Sequence, residues 1–70
     1  MLLTYMDVGE SGIISKVTNK RLEAMGLIVG TKIDVVNKSG ESFIIKTATS
    51  ENRLIITKDM AKQLNVYGRK

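Results

Sequence analysis

The chemically capable side chains of this 70-residue chain are seven carboxylates, eleven lysines and arginines, and the hydroxyls of serine and threonine; histidine and cysteine are absent. A nucleophilic triad, or a general base tuned near neutral pH, usually draws on His or Cys. No spacing links the remaining Lys, Ser, Thr, Asp and Glu into a site, so the sequence predicts a protein that is not an enzyme and needs no cofactor. The same absence removes disulfides and the commonest zinc and iron ligands.

Two carboxylate pairs, Asp7 with Glu10 and Glu51 with Asp59, have the chemistry to hold a hard cation. Neither lies in an oxygen-rich loop, and isolated carboxylates on small domains are normally solvated, so no metal site is expected. Met25 and Met60 fall on apolar helix faces, and Met1 and Met6 in a hydrophobic N-terminal segment. That placement points to core packing rather than to a soft metal.

The net charge of +4 and the pI near 9.6 raise nucleic-acid binding through Lys16, Lys20, Arg21, Lys46, Lys58 and Lys62. These positions are scattered over every element, with no basic run except Lys20-Arg21 and the tail Arg69-Lys70. Tyr5, Phe43 and Tyr67 are the only aromatics, which disfavours both a base-stacking platform and a Pro-rich peptide groove. Attraction to the anionic inner leaflet of a membrane is another reading of the same charge.

A chain this short buries only about 60% of its unfolded surface, so one small domain over residues 1–70 must stand on its apolar core. The first basic residue is Lys16 and Asp7 interrupts the apolar start, unlike a signal peptide; no run approaches the ~20 apolar residues of a membrane span. A cytoplasmic location is the expectation.

Gly12 to Val17 reads as a strand with Ile13, Ser15 and Val17 on one face and Ile14 and Lys16 on the other, leaving the buried face open. The run "TKIDVVNK" places Ile33 and Val35 inward, and "SFIIKTAT" does the same for Phe43, Ile45 and Thr47, with Lys38 to Glu41 as the hairpin turn. "RLIIT" follows the polar segment Thr49 to Asn52 as a fourth strand. Thr57 is placed to cap a helix of at most two turns, with Met60 and Leu64 on one face and Asn65 as its stop; "VYG" closes as the last strand. The pattern predicts a mainly β fold, a small closed or partly open barrel of about five short strands with one short helix after the first strand and another before the last.

The stretch "RLEAMGLIVGTKIDVV" assigns separate tasks to its two glycines. Asn19 is placed to cap a helix from Lys20 to about Met25, with Leu22 and Met25 inward and Arg21 and Glu23 outward. Gly26 then falls just past the helix end, where a positive φ is usual, and the ending folds Leu27 back on Leu22. Gly30, with Val29 before it, suits the third position of a type II turn leading into the strand at Thr31.

These residues resemble the central signature of the FeoA family, small SH3-like proteins of bacterial ferrous iron uptake, in which Arg-Leu, Gly-Leu and a Pro-Gly lead into a strand. Leu3, Met6, Gly9 and Gly12 to Val17 resemble the opening strand of the family, "RLIIT" its penultimate strand, and "DMAKQLNV" its closing helix and strand. The chain departs from the pattern at Val29, which replaces the usual proline and loosens the turn by about 0.4–1 kcal/mol. The link Thr18 to Lys20 is shorter than is common, and the hairpin "NKSGES" lacks the frequent Gly-Pro or Asp-Pro.

The resemblance implies an SH3-like barrel that acts in iron uptake as an adaptor, associating with FeoB, a membrane transporter whose cytosolic region includes a GTP-binding domain. It also implies recruitment to the inner membrane face, and transition-metal binding by family alone. The same domain occurs at the C-terminus of iron- and manganese-dependent repressors, so a detached repressor-type domain is the related alternative; a chain of this length points to the transport form. A partner surface is expected on the helix and double turn, with Lys20 and Arg21 as charges and Leu27, Ile28 and Val29 as apolar contacts, and Arg53 as a further cation. Arg21 or Arg53 could serve as a finger on the transporter's nucleotide. Pairing of an edge strand with a second copy is left open.

Overall fold

The computed structural model describes residues 1–48 and 52–69. Thr49, Ser50 and Glu51, with the suggested meeting of Glu51 and Asp59, lie outside the described residues, as does Lys70 of the tail. After a 3-10 turn at Leu3–Tyr5 come β1 (Ser11–Val17), α1 (Lys20–Ala24), β2 (Lys32–Lys38), β3 (Ser42–Thr47), β4 (Arg53–Thr57), α2 (Lys58–Ala61) and β5 (Leu64–Arg69). All strand pairs are antiparallel in one sheet ordered β4-β3-β2-β1-β5. The two edge strands, β4 and β5, are joined by one turn of helix, so the sheet must curl until its edges meet at α2. That curl makes the SH3-like barrel.

Alternation decides which side of the sheet is inside. On β2 and β3, Ile33, Val35, Phe43, Ile45 and Thr47 are buried, as their period of two predicts. On β1 the buried residues are Gly12 and Ile14, and the phase is interrupted by a register shift between Ile14 and Lys16. This bulge reorients the strand, so that Ile14 and Val17 both pack inward although they are three residues apart. A strict alternation through Gly12–Val17, with Ile13 and Val17 on one face, is therefore not what forms; Ile13 faces out.

The second helix is shorter and the last strand longer than the sequence predicts. Thr57 does cap α2, its Oγ1 accepting from the Met60 N–H at 3.2 Å, but the helix ends at Ala61. Leu64 pairs with Val17 and Asn65 with Lys16, so Leu64 opens β5 and Asn65 is not the helix stop. The Met60–Leu64 spacing fits a helix, but Leu64 and Val66 also alternate inward, and the β1 ladder selects the strand.

The N-terminal segment is a plug rather than a strand. Leu3 and Met6 are completely buried, and the chain is tied to β5 by the Val66 N–H donating to the Met1 carbonyl at 2.7 Å and by the Leu2–Asn65 bridge. Met1 itself is half exposed, so it is not a core methionine, whereas Met25 and Met60 pack against the core. No helix among the described residues is long and apolar enough to cross a membrane.

Candidate functional site: the glycine corner

The segment from Asn19 to Thr31 is built as a corner. Asn19 accepts the Arg21 N–H on its Oδ1 at 2.8 Å, satisfying one of the open donors of α1. Its Nδ2 donates to Gln63 Oε1 at 2.6 Å, and the Thr18 N–H donates to the Gln63 carbonyl at 3.1 Å. Gln63 thus anchors the start of α1 to the junction of α2 and β5, a tie across 44 residues that no local pattern announces.

The helix end has the expected form. Gly26, at φ 92°, donates to the Glu23 carbonyl at 3.0 Å, and the Leu27 N–H donates to the Leu22 carbonyl at 2.9 Å. These are the two hydrogen bonds of the Schellman motif, and they fold Leu27 onto Leu22, both with no exposed surface. Gly30, at φ 93°, occupies the third position of the turn closed by the Thr31 N–H on the Ile28 carbonyl at 3.1 Å. The Gly30 N–H donates to the Ile14 carbonyl at 2.8 Å and the Ile14 N–H to the Thr31 carbonyl at 2.9 Å, which clips the turn to β1.

The corner sorts the expected contact residues. Lys20, Arg21, Ile28 and Val29 are exposed, Ile28 by 51% and Val29 by 64%. Leu27 folds back on Leu22 as expected and for that reason departs from the expected contact: it is fully buried, because the Schellman bond turns its side chain into the core, so it supports the surface without being part of it. Arg53 is not at the corner. It opens β4, opposite Lys46, with β3 and β2 between it and the strand that holds the corner.

The carboxylates have local work. Glu10 Oε1 accepts the Asp7 N–H at 2.6 Å, and Asp7 lies 3.8 Å from Lys38 Nζ. Among the described residues no group of three or more His, Cys, Asp or Glu stands together as a metal cage. Lys38, read from sequence only as a turn residue, donates to the carbonyls of Thr4 and Met6 at 3.3 and 3.1 Å and lies 5.4 Å from the centroid of the Phe43 ring. Of the scattered cations, register brings Lys46 opposite Arg53, while Lys58 and Lys62 lie on or next to α2.

A model of the FeoA domain family matches residues 1–67 of the chain. A crystal structure of an iron uptake regulatory protein, FeoA, is 25% identical, with a TM-score of 0.87 over 99% of this chain and 97% of that one. A solution structure of the FeoA protein from Chlorobium tepidum is 19% identical, with a TM-score of 0.83 over 96% of this chain and 69% of that one, and shows the shared fold. No curated protein matches the sequence.

Proposed function

The chain belongs to the FeoA domain family, a family of iron uptake, and we propose from this that it is a non-catalytic adaptor which binds the cytosolic, GTP-binding region of a FeoB-type ferrous iron transporter and modulates it. It works as a single module in the cytoplasm, recruited to the inner membrane face where such a transporter sits. Iron is the cargo of the partner; this chain brings neither His nor Cys to it.

The observation that carries the reading is the exposed pair Ile28 and Val29, raised beside Lys20 and Arg21 on a corner whose backbone is fixed at both glycines. A rigid apolar tip with a cationic shoulder offers a partner contact area at little ordering cost. Arg53, on β4, contributes a separate cation and not part of this contact.

The test is a pull-down of the purified protein with the transporter's soluble cytosolic region, run without nucleotide, with GDP and with a non-hydrolysable GTP analogue. Binding in at least one state is expected, weakened roughly ten-fold or more by the double substitution Ile28→Ser and Val29→Ser at unchanged melting temperature. No binding in any state, together with normal ferrous uptake after deletion of the gene, would sink the proposal.

A further inference from the structure

The strand register collects cations that the sequence scatters. Across the outer side of the sheet, Asp34 on β2 stands opposite Lys46 on β3, and Lys46 opposite Arg53 on β4. Next to that row, Tyr67 on β5 stands opposite Ile13 on β1, and Ile13 opposite Lys32 on β2. Directly opposed residues have Cβ atoms about 5 Å apart and diagonal ones about 7–8 Å, so these side chains form one continuous surface. Lys32, Lys46, Arg53, Tyr67 and Ile13 are all exposed. The carboxylate in this register, Asp34, is half-buried and accepts the Ser11 hydroxyl. Glu41 and Asp59 sit at the far end of the strands, by the β2–β3 hairpin and α2.

We propose that this outer face docks on anionic phospholipid at the membrane surface. Three cations with one engaged carboxylate give a positive field toward lipid phosphates, and lysine and arginine stems can lie along apolar surface while their heads stay wet. Tyr67, 67% exposed, has the apolar body and polar tip that settle at headgroup level, beside the apolar Ile13. Nucleic acid fits less well, because bases taken out of their stack need several aromatic faces and this surface has one. The proposal rests on the adaptor reading for its setting, the membrane that holds the transporter, but it uses other residues than the Ile28–Val29 tip.

Co-sedimentation of the protein with vesicles of phosphatidylcholine alone, and with vesicles in which about a third of the lipid is phosphatidylglycerol, tests it at rising salt. Binding to the anionic vesicles, little to the neutral ones, and loss with salt are expected. Lys32→Ser and Lys46→Ser should each weaken binding about five-fold, while Lys58→Ser, at the hairpin end, should leave it unchanged. Circular dichroism melts of the same variants establish that each is folded. Equal binding to both vesicles, indifference to the Lys32 and Lys46 substitutions, or displacement from lipid by a single-stranded oligonucleotide at lower charge concentration than the lipid would overturn the proposal. The vesicles hold no transporter and the pull-down holds no lipid, so either reading can fail without the other.

Discussion

Three consecutive residues, Leu27, Ile28 and Val29, have the same apolar character and opposite tasks. Leu27 is drawn inside by its N–H bond to Leu22, and the type II turn that follows leaves its neighbours in solvent. Leu27→Ala should therefore cost about 2–5 kcal/mol in denaturant unfolding, as a cavity in a closed core does. Gly26→Val should cost at least about 1–3 kcal/mol for a different reason: open space surrounds the position, but φ 92° strains any β-branched residue. A Gly26→Val protein of normal stability would refute the turn. Sequence makes the two glycines legible because a backbone conformation restricts residue type directly. The same ending folds Leu27 back on Leu22, but hydrophobicity alone does not show that this takes Leu27 off the contact surface while Ile28 and Val29 stay on it.

Elements joined by local alternation were readable, and those joined over long separations were not. The inward residues of β2 and β3 follow their period of two as far as a register shift between Val35 and Asn37, whereas the bulge in β1 and the early end of α2 both come from the β1–β5 ladder, which no window of neighbouring residues contains. The ties that position the corner are of the same kind. Asn19 is legible as a cap from its place before an amphipathic turn, but its second bond, to Gln63, is set by the closing of the barrel. Asn19→Ala removes both and should destabilise by about 1–2 kcal/mol, while Gln63→Ala removes one and should cost less. Thermal melts compare the two directly. Equal losses would mean that the cap contributes nothing and that the tie to Gln63 alone holds α1.

At the scale of the molecule, the feature that the sequence concealed most fully is how the barrel is closed at its N-terminus. A five-stranded sheet curled over so few side chains needs its open side filled, and Leu3 and Met6 fill it, although neither belongs to a strand and their spacing is shared by many loops. The plug is held from two directions. Val66 on β5 bonds to Met1, and Lys38 at the end of β2 reaches the carbonyls of Thr4 and Met6, with its charge over the Phe43 ring. The edge strand β5 and the central strand β2 are therefore linked through the first six residues, and removing them should affect the whole fold rather than a terminus. A chain beginning at Asp7 should lose two fully buried side chains, each worth about 2–5 kcal/mol, which rivals the whole stability of a domain this small. It should show no cooperative melting transition, while Lys38→Ala, which releases one of the two holds, should keep a cooperative transition lowered by roughly 4–15 °C. If the shortened chain melts cooperatively near the temperature of the full one, the barrel is closed by its strands alone and the N-terminal segment is an appendage.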